Sequence, residues 1–213
     1  MCIRDVASLM AINGDPAIRD LHREAAMIAP DGAPIARIGK LRGLPVERTC
    51  GPDLIDLVCR RSVDSGLSHF FFGGKPGVAQ KLAENFARKY PGIHISGYES
   101  PPFRELGEPE DPQVLERIAN SGADVIWVGL SSPKQDVWMR DNYRHLPQTL
   151  IGVGAAFDFH TGAINRAPRW MREHGLEWAH RLLSEPKRLW HRYLVLAPRF
   201  VIAVGIAELR QRI

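Results

Sequence analysis

Two short apolar runs, each closed by small and polar residues, set what this chain can fold into. They are Ala-Asp-Val-Ile-Trp-Val-Gly-Leu-Ser-Ser-Pro-Lys-Gln-Asp (123–136) and Gln-Thr-Leu-Ile-Gly-Val-Gly-Ala-Ala-Phe-Asp-Phe-His (148–160). A continuous apolar run bounded by turn residues reads as a strand buried on both faces. In open α/β sheets, ligands sit just past the carboxyl ends of such strands. The loops that close these two runs are therefore where a site is expected.

The rest of the chain repeats the alternation. Residues 15–27, 52–65, 78–90, 113–120 and 134–145 have helical character, the first opened by Asp15 as an N-cap before Pro16. Residues 67–72, 93–96, 124–128 and 149–153 read as strands, and 99–112 as a Pro- and Glu-rich loop. Strand–helix alternation predicts a Rossmann-like parallel sheet with flanking helices and right-handed crossovers. After residue 162 the pattern changes. Residues 167–199 read as helical, rich in Trp (Trp170, Trp178, Trp190) and interrupted at Pro186 and Pro198, and 200–209 are apolar on most faces. The predicted organisation is an α/β core over 1–165 and a helical appendage over 166–213.

Charge follows the same division. Residues 166–213 hold ten Lys and Arg against four Asp and Glu, whereas 1–165 hold 18 against 20. A basic tail on a near-neutral body seeks an anionic partner: nucleic acid, phospholipid or a phosphorylated substrate. No run of about 18 apolar residues is present to span a bilayer, but the tail suits a helix lying against a membrane or against the body. The three cysteines (Cys2, Cys50, Cys59) have neither metal spacing nor an even disulfide set, which fits a reducing compartment.

Several residues could carry chemistry. The loop Gly73, Gly74, Lys75, Pro76, Gly77 follows a strand and opens a helix, the arrangement in which backbone N–H groups and the helix dipole bind phosphate. It lacks both the Walker spacing and the full dinucleotide fingerprint, so an ordinary strand-to-helix turn stays open as a reading. Asp31, in Pro-Asp-Gly, is either a turn or capping residue or a general base for a hydroxyl. Gln135, at the start of a helix, either points an amide into the crevice, toward a sugar hydroxyl or a uracil edge, or is merely exposed beside a Ser132–Asp136 cap. Asp158 and His160 alternate between phenylalanines and do not make a metal-ligand set. Arg181, Lys187, Arg188, His191 and Arg192 recur at helical spacing as a basic face, either solvated or turned to an anionic surface.

Together these segments resemble the WecG/TagA/CpsF family of bacterial glycosyltransferases. The motifs that carry the resemblance are Ala-Pro-Asp-Gly (29–32), Glu-Arg-Thr-Cys-Gly-Pro-Asp-Leu (47–54), Phe-Phe-Gly-Gly-Lys-Pro-Gly (71–77) and Val-Gly-Leu-Ser-Ser-Pro-Lys-Gln-Asp (128–136). Gly-Val-Gly-Ala-Ala-Phe-Asp-Phe-His-Thr-Gly (152–162), Arg-Ala-Pro-Arg-Trp-Met (166–171) and the Gly-Leu-Glu-Trp to Glu-Pro-Lys-Arg stretch (175–188) complete the set in collinear order.

The resemblance implies inverting, metal-independent transfer of a sugar from a UDP-sugar (UDP-N-acetylmannosamine, UDP-glucose or similar) to a polyprenyl-diphosphate-linked saccharide. No cofactor is implied beyond the UDP-sugar donor. The setting it implies is bacterial surface-polysaccharide synthesis, on the cytoplasmic face of the plasma membrane. An anionic membrane surface and self-association as a homo-oligomer follow as partners; nucleic acid does not. By motif, Asp31 matches the family's proposed general base, Arg48 an active-site arginine and Gln135 an active-site glutamine. Arg181 and Arg188 match basic residues of an appendage thought to close the site over the leaving diphosphate, and a third such position falls at His191 with Arg192 beside it.

Residues 1–5 match nothing in the family's opening strand, which ends near Thr-Pro-Asn. The sequence therefore predicts a chain short of its first strand, with a sheet edge uncovered and the acceptor side of the site incomplete. The alternative function is accordingly a truncated, inactive relative that still binds a nucleotide-sugar. A nicotinamide-dependent oxidoreductase is disfavoured, because no acidic residue falls about 20 residues beyond a full glycine fingerprint.

Overall fold

Three strands with almost no exposed surface anchor the structure: β3 (Ser68–Gly73), β5 (Val125–Gly129) and β6 (Thr149–Gly152). The computed structural model describes residues 1–14 and 16–211. With β1 (Cys2–Arg4), β2 (Ile28–Pro30) and β4 (His94–Glu99), these strands form one six-stranded parallel sheet in the order β2-β1-β6-β5-β3-β4. The predicted α/β fold with flanking helices is what forms.

The chain divides into two compact units. The first comprises Met1–Ile3, Asp20–Ala29 and Thr49–Asn165, and the second comprises Arg4–Arg19, Pro30–Arg48 and Arg166–Ile213. Asp31 and Arg48, which the sequence reading places in the core, thus belong to the same unit as the C-terminal segment.

In the first unit the two-residue period of the strands sorts side chains onto two faces. Phe71, Trp127 and Ile151 face one layer with Ile55 and Cys59 of α4 (Gly51–Ser65), Leu82 and Phe86 of α5 (Val78–Lys89), and Phe157 of α8 (Ala156–His160). Phe70, Phe72, Ile126, Val128 and Leu150 face the other, with Val114 and Ile118 of α6 (Pro112–Ala119) and Trp138 and Met139 of α7 (Lys134–Asn142). Fully burying side chains of this size contributes about 1.5–3 kcal/mol each. Register is fixed along the middle of the sheet, with Phe71 opposite Trp127 and Trp127 opposite Ile151. His69 is a polar group inserted in this stack: its Nδ1 accepts a hydrogen bond from Trp127 Nε1 at 3.1 Å.

Residues 2–4, which the sequence reading matches to nothing in the family's opening strand, form a strand. Cys2–Arg4 form β1, buried at all three positions, with Cys2 paired to Gly152 of β6 and the Cys2 N–H donating to Met27 O at 2.9 Å. Three residues ending in an arginine are too short to show an apolar period, so sequence pattern alone passes over them. The edge position beyond β1 is taken by β2.

In the second unit, α1 (Val6–Gly14), α3 (Ala33–Leu41), α9 (Arg169–Glu173), α10 (Glu177–Ser184), α11 (Pro186–Trp190) and α12 (Ala197–Gln211) are joined by loops and by one π-helical segment, His191–Leu196. The predicted break at Pro198 does not occur. The π-helical turn that immediately precedes α12 relieves the clash between a helical proline ring and the carbonyl four residues earlier. The predicted helix over 15–27 is α2 (Pro16–Glu24) in the structure, and its capping residue Asp15 lies outside the described residues.

Candidate active site

Asp31 is placed by the backbone before its side chain does anything. It directly follows β2, and its N–H donates to the carbonyl of Arg4, at the end of β1, at 2.5 Å. Gly32 then turns the chain into α3 with φ 102°, a left-handed conformation that glycine adopts without strain. The Asp31 carboxylate is consequently held at a strand end, with about a third (34%) of its surface open to solvent.

Around it stand groups drawn from distant parts of the second unit. Arg48 Nε lies 3.9 Å from Asp31 Oδ1, and Arg48 Nη2 donates to Glu177 Oε2 at 2.7 Å. Glu177, the first residue of α10 and buried, also pairs with Arg166, whose Nε is 3.6 Å from Oε1. Arg181 follows Glu177 by one helical turn on the same face. It lies close enough to act electrostatically on Asp31. Burial is the largest influence on the Asp31 carboxyl and pushes its pKa from 3.8 up to about 6. Glu177 adds to that shift, while Arg48, Arg181 and the Gly32 N–H oppose it. A carboxylate with that pKa is half-protonated just below neutrality and can take a proton from a hydroxyl and release it again.

Of the remaining predicted residues of this unit, Arg192 sits in the π-helical segment and is ion-paired with Asp5. The side chain of Arg188 lies outside the described residues. Glu177 and Arg166 are in the quoted motifs, yet the sequence reading gives neither a role. A glutamate in the first turn of a helix reads as a complement to the helix dipole, and only tertiary structure shows two arginines converging on it.

In the first unit, the predicted residues after β3 and β5 are engaged mainly with the ends and loops of neighbouring strands. Gly73 O accepts from Ser100 Oγ at 3.1 Å, and Gly74 N–H donates to Gly129 O at 3.1 Å. Gly73 has φ 129°, and a Cβ on it would fall 2.7 Å from the Gly129 backbone, so the strand-to-helix turn itself requires glycine there. Lys75 and Gly77 are exposed on the loop. Gln135 is buried rather than exposed: its Oε1 accepts from Gly154 N–H at 2.9 Å, tying α7 to the loop after β6. Ser132 Oγ donates to Asp136 at 3.2 Å at the start of that helix. His160 Nε2 lies 2.8 Å from Pro52 O, with its ring against Phe86. Among the described residues, no three His, Cys, Asp or Glu side chains gather as a metal set.

The sequence pattern of the glycosyl transferase WecG/TagA/CpsF family matches residues 1–213. The chain belongs to that family. It is 34% identical over 193 residues to an N-acetylglucosaminyldiphosphoundecaprenol N-acetyl-beta-D-mannosaminyltransferase from Bacillus spizizenii, covering 89% of this chain and 72% of that protein. The chain is thus a glycosyltransferase of polysaccharide or cell-wall synthesis. Within the family match, Asp31, Arg48, Glu177 and Arg181 form a cluster in which a candidate base and candidate anion-binding groups are held together.

Proposed function

We propose that this enzyme transfers N-acetylmannosamine or a similar sugar from its UDP derivative to a polyprenyl-diphosphate-linked saccharide, in a single displacement that inverts the anomeric centre. Asp31 takes the proton of the acceptor hydroxyl as its oxygen bonds to the anomeric carbon. The bond from that carbon to the diphosphate breaks, and UDP leaves. Arg48 and Arg181 stabilise the negative charge developing on the diphosphate, as preorganised cations do wherever charge appears in a transition state. The role given to arginine makes a divalent cation unnecessary, and undiminished turnover in excess EDTA is the expected result. The name of the Bacillus relative specifies a beta-linked product, which inversion yields from an alpha-linked UDP-sugar.

The observation that carries this reading is a carboxylate with a pKa of about 6 standing beside two arginines at a strand end. The test is UDP release from UDP-N-acetylmannosamine with a polyprenyl-diphosphate-linked N-acetylglucosamine acceptor. Asp31→Asn is expected to lower turnover at least a hundredfold, roughly the contribution of a general base, while calorimetry still shows UDP binding. Full turnover in that variant would remove Asp31 as the base. UDP binding without release by the unsubstituted protein would favour the inactive binding relative.

The acceptor's lipid calls for a surface-bound enzyme. Trp170, Trp178, Trp190, Leu183, Val201 and Ile202 are all exposed on the basic second unit, and no helix among the described residues is long and apolar enough to cross a membrane. We therefore assign these residues to peripheral attachment on the cytoplasmic leaflet. Sedimentation with anionic liposomes, lost when 166–213 are removed, is the expected result.

A further inference from the structure

We propose that Glu177 is a positioning residue for the transfer: it grips one edge of the Arg48 guanidinium, so that the other edge stands beside Asp31 without closing a hydrogen-bonded ion pair on it. The proposal rests on the reading of Asp31 as the base.

The geometry is asymmetric. Arg48 reaches Glu177 at 2.7 Å, a short charge-assisted hydrogen bond, and stands 3.9 Å from Asp31, an ion-pair distance beyond hydrogen-bond reach. Arginine and a partly exposed aspartate this close would ordinarily collapse into a bidentate pair. Such a pair would hold the carboxylate ionised and poorly basic, and would occupy the oxygens that an acceptor hydroxyl needs. Glu177 is only 11% exposed, and Arg166 approaches its other oxygen at 3.6 Å. It is therefore fixed from two sides and cannot follow Arg48 toward Asp31. Its position at the N-terminus of α10 also favours its negative charge.

Glu177 acts on Asp31 directly as well. The charged groups that bear on Asp31 are Arg48 and Arg181, which favour its ionised form, and Glu177, which disfavours it. One glutamate thus both keeps an arginine at a working distance and keeps the base basic. Arg48 remains oriented for the leaving group, whose developing charge it meets only in the transition state.

The experiment measures the pH dependence of kcat for Glu177→Gln and Asp31→Asn, using the donor and acceptor named above. Glutamine keeps the shape of glutamate and loses its charge, so Arg48 is released toward Asp31. The expected result is an acid limb displaced to lower pH by about one unit and a plateau kcat lowered at least about tenfold, with a smaller change in donor KM. If Asp31→Asn abolishes turnover while Glu177→Gln keeps the wild-type limb and plateau, the positioning role is overturned and the base survives. If Asp31→Asn retains turnover, the base reading falls and this proposal falls with it. Should Glu177→Gln fail to fold, Glu177→Asp carries the test. It keeps the charge but draws Arg48 back by about one methylene, so kcat is expected to fall while the limb stays near its wild-type position. Wild-type kcat in that variant overturns the proposal.

Discussion

Asp5 and Arg192 form an ion pair inside the second unit, between the first residue after β1 and the second residue of the π-helical segment. The same carboxylate caps α1, accepting from Ser8 N–H and Ser8 Oγ at 2.9 Å each. Asp5 therefore ties the start of one helix to the π-helical turn of another. Burial disfavours the charged form of Arg192 and lowers its pKa, with Tyr193 opposing the shift, and the ion pair with Asp5 gives that partly buried guanidinium a counter-charge.

Removing Asp5 should accordingly cost stability before it costs chemistry. Asp5→Ala loses a helix cap and leaves a partly buried arginine uncompensated, together about 2 kcal/mol. Asp5→Asn keeps most of the cap and should cost less. Thermal unfolding of the two variants and of Arg192→Gln checks this order. Equal melting temperatures for Asp5→Ala and wild type would show that the pair carries no stability.

Gln135 permits a separation of roles. Its Oε1 holds the Gly154 N–H, and its amide carbon and nitrogen pack 3.2 Å from where a Cβ on Gly152 would sit. Gln135→Glu keeps an acceptor for Gly154 and should leave the melting temperature within a degree or two, whereas Gln135→Leu orphans that N–H and should cost about 1–3 kcal/mol. If the amide N–H₂ also contacts the sugar or the base, turnover falls in both variants. Wild-type turnover in a stable Gln135→Glu protein would confine Gln135 to tying the loop.

The fold was largely legible from the sequence and the site only in part, for the same physical reason. Phe70 to Phe72 and Val125 to Val128 are apolar runs whose burial is encoded locally, and they form strands as expected. Cys2–Arg4 is also a strand, but its pairing with β6 joins residues about 150 positions apart and leaves no local period. Asp31 stood out because a Pro-Asp-Gly turn is a local signal. Glu177 did not, since its meaning depends on Arg48, which is 129 residues away.

His69 predicts how the core responds to acid. Burial lowers its pKa from 6.5 to about 4, so the folded state holds a neutral imidazole that accepts from Trp127. The unfolded chain binds the proton first. Stability from this group is therefore full above pH 6.5 and is lost as pH falls toward 4, in total about 3 kcal/mol. His69→Gln, which can still accept from Trp127, should flatten the pH dependence of unfolding across that window whatever it does to the absolute stability. A slope equal to wild type would remove His69 as the titrating group.

Asp31 acts in the same window with the opposite sign. Its folded pKa of about 6 lies above its usual value of 3.8, so the folded state holds the proton longer and ionisation of Asp31 weakens the fold as pH rises from about 4 to about 6. Asp31→Asn removes this term. The variant should match the wild type near pH 4, gain on it through pH 6 and hold a constant advantage at pH 7 and above. Over that same interval its turnover should stay at least about a hundredfold below that of the wild type. A stability gain that appears with pH while activity is lost is the behaviour expected of a carboxylate kept basic for catalysis at the expense of the fold. Melting curves of both proteins at half-unit steps from pH 4 to 8 measure it, and a difference independent of pH would show that Asp31 titrates as an ordinary surface aspartate.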